Sequence, residues 1–344
     1  MTRKITIIFL AVLMAFAGCK KEKNGNENHM FSNKPNSGGS AGEVEVVMSE
    51  SLWNSSVGDT VFYYLTIPFP GLPQAEPFYK VRYIKPGAFD GILKEHRNIL
   101  IVKVDKKYPK NTIKIERDKW AYNQIVITLK SPDKQSFVKG FSKAYKRILD
   151  TLYTTELMRY QNAFSKFLNQ EAVDTVEKLY GLSMIIPDSY QVFVKKKNFA
   201  WIGRETQKTT QAILIYTEPY DTPEAMDVDY FMRHRDTVLK YNVPGPEEGT
   251  YMQIEKAYTL TTQNIVTEDG HMGVLVRGLW KTHNYLMGGP FVSLTFLDAK
   301  DAKVYHLYGF VYAGKLDKKL YLWQVEAIIR SAKLVNQTAQ TKAQ

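Results

Sequence analysis

The pattern of apolar and polar positions begins with a short apolar run from Ile5 to Phe16, preceded by the basic residues Arg3 and Lys4. This run is too short to span a bilayer comfortably, and small residues follow it, which predicts a secretory signal over residues 1–18. The next residue, Cys19, is the only cysteine of the chain. A lone cysteine at a cleavage site has the form of a bacterial lipobox, so we predict that the mature chain begins at a lipid-modified Cys19.

Residues 19–42 are polar and rich in Asn, Gly and Ser, with almost nothing to bury. This composition predicts a flexible, lipid-anchored tether. At the other end of the chain, residues 336–344 are polar and predict a frayed tail.

Residues 43–180 alternate between strand and helix patterns, which predicts a layered α/β sheet domain. The predicted strands are Glu43–Met48, Tyr79–Ile84, Ile99–Val104 and Gln124–Lys130, and the predicted helices are Trp53–Leu65 and Ala88–His96. Ser131-Pro132-Asp133 then predicts a helix start, and helical spacing continues to about Leu179. A kink or split is expected at Thr151–Thr155, and the sequence leaves open whether residues 132–179 form one kinked helix or two.

Residues 181–335 read as a run of short strands with two helices, which predicts a mainly antiparallel domain whose sheet is covered by helices on one face. The helices are expected at Ala225–Leu239 and Lys318–Ser331. The predicted fold class of the whole chain is therefore α+β, with an N-terminal α/β sheet domain, a long helical segment and a C-terminal antiparallel domain.

Composition narrows the class of protein. The chain has 344 residues, of which 44% are hydrophobic and 13% aromatic, so we expect well-packed cores rather than disorder. With Cys19 committed to lipid, no disulfide can form. The net charge of +11 favours anionic partners in general, and for an exported protein we expect these not to be nucleic acid.

Two family resemblances rest on short motifs. Pro70-Gly71-Leu72-Pro73-Gln74 with Glu76-Pro77-Phe78, together with the lipobox and tether, resembles the bacterial lipoprotein family DUF4837 along nearly the whole chain after the tether. That resemblance implies an envelope lipoprotein without an established activity. The segments 181–187 and 199–201, with the closing helix 322–331, are similar to PsbP/Mog1-like domains, which implies an accessory or adaptor role for the second half.

No catalytic signature is present in the sequence. The six histidines are scattered, no H-E-x-x-H occurs, and the glycine patterns of nucleophile elbows, phosphate loops and dinucleotide sites are missing. We therefore predict no catalytic residue, metal ligand or cofactor, and favour a non-enzymatic binding or accessory module. The alternative, a hydrolase of envelope glycans or peptides that uses two carboxylates in a polar pocket, stays open.

A few residues are candidates for a ligand or partner surface. Four prolines restrict the stretch from Pro68 to Pro77 to an extended loop, which suits either a brace across the fold or presentation to a partner. The candidate residues in and beyond this loop are Pro73, Gln74, Glu76, Trp201, Trp280 and His283. The expected partners are the membrane, through lipid on Cys19, and an unidentified protein or glycan. The expected location is the cell envelope, at the outer membrane, on either its periplasmic or its surface face.

Overall fold

A computed structural model describes residues 34–335 of the chain, so the signal, Cys19 and the tail lie outside the described residues. The last part of the predicted tether is folded: Asn36 and Gly38 form bridges with Tyr122 and His96. Arg97 N–H donates a hydrogen bond to Gly38 O at 3.0 Å. Residues from Asn36 onward are therefore part of the structured protein, not of a free tether.

The first sheet is formed by residues 43–131 and has five strands. They are β1 (Glu43–Val47), β2 (Lys80–Ile84), β3 (Asn98–Val104), β4 (Thr112–Arg117) and β5 (Ile125–Ser131), in the order β2-β1-β3-β5-β4. All neighbours are parallel except β4, which lies antiparallel to β5 at the edge. The predicted strands are confirmed, and β4 is an additional strand within the lysine-rich stretch.

Helices cover one face of the first sheet. They are α1 (Glu50–Trp53), α2 (Ser56–Leu65) and α3 (Lys134–Phe164), and their apolar residues share a core with Val44, Leu100 and Ile127. The helix predicted at Ala88–His96 is wrong, because two short 3-10 helices occupy residues 86–88 and 91–95. Gly91, the first residue of the second one, has φ of 51°, which an α-helix does not contain.

The kink predicted at Thr151–Thr155 is also wrong, because α3 runs through this segment without a break. Thr151 Oγ1 donates to Arg147 O and Thr155 Oγ1 donates to Thr151 O, both at 2.7 Å, so these hydroxyls are satisfied within the helix. The chain instead turns at residues 165–169 and continues as α4 (Gln170–Tyr180). The helical segment is thus two helices.

The second sheet has eight antiparallel strands. After the short β6 (Leu182–Ser183) come β7 (Gln191–Lys196), β8 (Phe199–Glu205), β9 (Thr210–Pro219), β10 (Met252–Ile254), β11 (Thr261–Val266), β12 (Met272–Thr282), β13 (Tyr285–Asp298) and β14 (Lys303–Tyr312). The order is β10-β12-β13-β14-β9-β8-β7, and β11 also pairs with β12. The final strand, β15 (Lys333–Leu334), pairs with β6.

Helices lie on both faces of the second sheet, so the expectation of a single covered face is wrong. On one face, α5 (Val228–Asn242) packs on Tyr308 and Phe310. On the other, α6 (Lys319–Arg330) packs on Leu307 and Val311. Both faces of β14 are apolar, and each therefore needs a covering helix. The α+β fold class is confirmed.

One apolar core joins the two halves of the described chain, which belongs to a single compact unit from Pro35 onward. Helix α6 lies between the second sheet and α3, where Trp323 contacts the rings of Phe69, Phe78, Tyr79 and Tyr153. Among the described helices, none is long and apolar enough to cross a membrane.

Candidate ligand cleft

A polar cleft of about 910 Å³ lies in the second half of the described chain. Four segments form it: the C-terminal end of α4, the β11–β12 turn, the β13–β14 turn and the end of β15. The lining side chains are mostly charged, namely Asp174, Glu177, Lys178, Asp269, His271, Asp298, Lys300, Asp301 and Lys303. We refer to this cavity as the polar cleft.

Helix α4 ends at the cleft because its sequence carries a signal at each terminus. Asn169 caps the start, where its Oδ1 accepts from Ala172 N–H at 2.9 Å. Gly181 ends the helix with φ of 66°, a left-handed conformation that favours glycine. Tyr305 O–H donates to Tyr180 O at 3.0 Å, and Val335 N–H donates to Gly181 O at 2.8 Å. The helix end is thus fixed to both the sheet and the C-terminal strand.

Two of the cleft's carboxylates hold its walls. Asp298 accepts from Lys300 N–H at 3.0 Å within the β13–β14 turn. Asp269 accepts from Thr267 O–H at 2.6 Å and from Leu334 N–H at 2.7 Å, which ties the β11–β12 turn to β15. Burial alone would raise the pKa of Asp269, but these hydrogen bonds lower it. Both side chains therefore have structural roles.

The remaining charged groups face the cavity with mixed sign. Glu177 and Lys178 project from α4, and Asp301 and Lys303 from the β13–β14 turn. Burial and the nearby carboxylates raise the pKa of Tyr305 to about 12, so its hydroxyl stays protonated at neutral pH. Such a lining offers both donors and acceptors, which suits a polar ligand.

The cleft lacks the signs of acid–base or metal chemistry. Among the described residues, every carboxyl group with a shifted pKa has it lowered, whereas a catalytic acid needs a raised value. Within residues 34–335, no group of three His, Cys, Asp or Glu side chains is arranged to hold a metal ion.

Two family models match the chain, and the boundary between the two matches falls between α3 and α4. Residues 169–331 match the family model described as a domain of unknown function, DUF4837. We refer to residues 169–331, which this model matches, as the DUF4837 region. Residues 37–165 match a different model, the domain of unknown function DUF8532. The DUF4837 resemblance is thus confirmed over residues 169–331, while the motif at 70–78 lies in the DUF8532 match.

Solved structures with some likeness include the Ran-binding protein Mog1p of Saccharomyces cerevisiae, at 9% identity and a TM-score of 0.30. The match covers 46% of this chain and 92% of Mog1p. The human StarD13 (DLC2) lipid transfer and protein localization domain matches at 11% identity and a TM-score of 0.22, over 41% of this chain and 88% of its own. TM-scores this low carry no argument about the fold or function of the chain. No curated protein matches the sequence.

The polar cleft belongs almost entirely to the DUF4837 region, and none of the residues predicted as a ligand surface lines it. Glu76 instead caps α6: its Oε1 accepts from Lys318 N–H at 2.6 Å and its Oε2 accepts from Lys319 N–H at 3.1 Å. Gln74 Oε1 accepts from Lys318 Nζ at 3.2 Å. The proline-rich loop therefore braces the first half against the DUF4837 region, one of the two roles expected for it.

Of the other predicted residues, Trp280 lies on β12, His283 follows it and Trp201 lies on β8. Trp280 is 2% exposed and donates from Nε1 to Val311 O at 3.2 Å. Trp201 and Trp280 contact Phe310 from two sides, and His283 stacks on Tyr251 with ring centroids 4.7 Å apart. Pro73 and Trp280 line one small hollow of about 370 Å³. The structure thus brings Pro73 to Trp280 and uses the tryptophans mainly as core.

The DUF4837 region also contains a His–Glu–His cluster around the buried His306, which the sequence did not indicate. His306 Nε2 lies 2.9 Å from Glu218 Oε1, and His306 Nδ1 lies 3.0 Å from Thr295 Oγ1. The other oxygen of Glu218 pairs with His234. Burial lowers the pKa of His306 to about 4. Burial would raise the pKa of Glu218, but hydrogen bonds from both histidines lower it to about 2.

We expect acidification to destabilise the protein through this cluster. The unfolded chain protonates His306 below about pH 6.5, whereas the folded protein resists protonation down to about pH 4. The unfolded state therefore binds more protons in this window, and the free energy of unfolding falls by up to about 3 kcal/mol as pH drops through it. Below about pH 4.5, Glu218 adds to the loss in the same direction.

Urea denaturation at a series of pH values measures this effect. His306→Gln is expected to flatten the dependence between pH 6.5 and 4. A parent protein equally stable at both pH values, or a variant with the parent's slope, would contradict the assignment.

Proposed function

We propose that this chain is a lipid-anchored protein of the bacterial envelope that binds a polar ligand in the polar cleft and catalyses no reaction. The anchoring part rests on the signal pattern of residues 1–18 and on the lone Cys19 that follows it. The tether then holds the folded part away from the membrane, at the outer membrane on either face. The DUF4837 and DUF8532 matches are compatible with this role and assign no activity.

The binding proposal rests on the way hydrogen bonds hold the polar cleft in shape. Its four walls are tied together by the hydrogen bond that Asp269 accepts from Leu334 and by those that Tyr305 and Val335 donate, so the cavity is preformed. A preformed cavity avoids the ordering free energy that a flexible site loses on binding. Its volume of about 910 Å³ falls within the range of small-molecule sites.

The lining selects the chemical class of the ligand. Carboxylates and ammonium groups line the cavity together, and His271 is also part of the lining. A ligand that carries many hydroxyl, amide or mixed charged groups matches this lining, whereas an apolar ligand leaves it unpaired. Among envelope compounds, short glycans and peptidoglycan fragments have this character.

Thermal unfolding of the purified protein with soluble peptidoglycan fragments and oligosaccharides tests the proposal. A ligand at about 100 times its dissociation constant stabilises the folded state by about 2.7 kcal/mol, which raises the unfolding midpoint by several degrees. The double variant Glu177→Gln, Asp301→Asn is expected to lose most of this shift.

Glu171→Gln is the matched control, because Glu171 is exposed on the same helix but does not line the cleft. It is expected to keep the parent's shift. No shift with any ligand, or equal shifts in both variants, would contradict the proposal for the cleft. Release of a hydrolysed product from any of these compounds would contradict its non-enzymatic part.

A further inference from the structure

The free edge of the first sheet carries an apolar strip. Strand β4 pairs only with β5 within the described chain, so its other edge is open. Ile113 and Ile115 are 39% and 36% exposed on this strand. They lie opposite Leu129 and Ile127, whose side chains face α3. Exposed isoleucines at alternate positions of an edge strand form a template for a further strand.

A shallow groove runs between this strip and α3. Gly140 and Ala144 form its helical side, one turn apart on α3, and the hollow here has a volume of about 130 Å³. The deeper lining is apolar, from Leu129, Phe137, Phe141 and Ile148. A Cβ at Gly140 would lie 2.3 Å from Asn111 Nδ2, so a larger residue there would require the Asn111 side chain to shift. The groove has room for one or two aliphatic side chains.

Basic residues border the groove on its outer side. Lys139, Lys143 and Arg147 are exposed and follow one another at four-residue spacing on α3. Phe141 and Tyr145 lie on the other side of Gly140 and Ala144, and their rings pack on Tyr64 of α2. The basic row therefore lies on the side away from α2, toward β4.

Positive charge is concentrated in the segment that forms the groove. Residues 103–147 contain thirteen Lys and Arg against four Asp and Glu, a surplus of nine in a chain whose total is +11. All four local acids are engaged: Asp105 with Lys107, Glu116 with Lys114 and Lys119, Asp118 with Gln124 N–H, and Asp133 as the cap of α3. The unbalanced positive charge attracts an acidic partner.

We propose that β4 and this groove bind an acidic polypeptide segment, which adds to the first sheet as an extra strand. Its backbone pairs with the open edge of β4, and its apolar side chains, at alternate positions, lie on Ile113 and Ile115 and in the groove. Its acidic side chains point to the other face of the sheet, near Lys114 and Lys130, and the basic row adds to the overall attraction. An open backbone edge is specific for a polypeptide, and the small groove volume matches side chains better than an acyl chain.

Fluorescence anisotropy with a labelled peptide tests this proposal. The probe alternates Glu with Val and is long enough to lie along the six residues of β4, and the comparison peptide has the same composition with the two residue types in separate blocks. We expect the full-length protein to prefer the alternating peptide. Ile113→Glu is expected to weaken its binding by about tenfold or more.

Ile92→Glu is the matched control, because Ile92 is 74% exposed in the same half and lies outside the groove. The double variant Lys143→Glu, Arg147→Glu, at exposed helix positions, is a second test that leaves the core intact. The proposal would be overturned if the protein bound the two peptides equally, or bound anionic vesicles as well as the alternating peptide. Unchanged affinity in Ile113→Glu or in the double variant would also overturn it. Glu177→Gln is expected to leave peptide binding unchanged, so this result is independent of the polar cleft.

Discussion

Replacing Glu326 by Gln is expected to lower the free energy of unfolding by about 3–5 kcal/mol. Glu326 is fully buried and accepts hydrogen bonds from Arg277 Nη2 at 2.7 Å and from Arg277 Nε at 3.1 Å. Burial opposes its ionisation, but Arg277 and Arg330 outweigh burial and lower the pKa of Glu326. Loss of this charge leaves the Arg277 guanidinium buried beside Phe69 and Tyr153 without its counter-ion.

Chemical denaturation measures this loss, and Glu50→Gln is the matched control. Glu50 also pairs with a cation, Lys85 at 2.9 Å, but both side chains are more than half exposed. Water and salt screen such a pair, so its removal is expected to leave the denaturation midpoint near the parent's. Equal effects of the two variants would show that the Arg277–Glu326 pair has no special role in the core.

Replacing Trp323 by Ala is expected to lower the free energy of unfolding by about 3–5 kcal/mol and to weaken both halves together. Trp323 is fully buried in α6, and its ring centroid lies 5.7 Å from those of Phe69 and Tyr79 and 5.0 Å from that of Tyr153. These three residues belong to the first half. The cavity left by the indole therefore removes packing that both halves share.

Far-ultraviolet and near-ultraviolet circular dichroism during unfolding test the shared loss. A single coincident transition, shifted downward in Trp323→Ala, is expected. Tyr241→Ala serves as the control, because Tyr241 is 75% exposed and its removal leaves no cavity. Two separate transitions, of which only the one of the second half is shifted in Trp323→Ala, would contradict a common core. The division of the chain at residues 180 and 181 into two domains stays a prediction.

Most of the helices and strands could be predicted because their spacing of apolar residues and their caps are visible in short stretches of sequence. The alternation in β1 and β5, the nearly continuous apolar run of β3 and the start signal Ser131-Pro132-Asp133 identify them directly, although Asp133 and not Ser131 caps α3. The break after α3 was misplaced, because threonine hydroxyls are compatible with a helix when they bond to the preceding turn, as Thr151 and Thr155 do. Strand β4 was missed as a strand because lysines mask the spacing of Ile113 and Ile115.

The sites were harder to predict, because tertiary contacts create them. Glu218, His234 and His306 are far apart in sequence and meet only when α5 packs on the second sheet. The cleft residues Asp269 and Asp298 have turn sequences, so the sequence indicates turns there and not a shared cavity. Glu76 was a candidate ligand residue, but the structure uses its carboxylate to cap α6, a role that depends on a loop more than two hundred residues earlier in the chain.

The central claim is that the mature protein is anchored by lipid on Cys19, and mass spectrometry of its N-terminal peptide tests this claim most directly. The protein is purified with detergent from bacterial membranes and digested. We expect a peptide that begins at Cys19 and carries the added mass of a lipid. We also expect the Cys19→Ala protein to be lost from the membrane fraction. A peptide that retains residues 1–18, or one that begins at an unmodified Cys19, would contradict it.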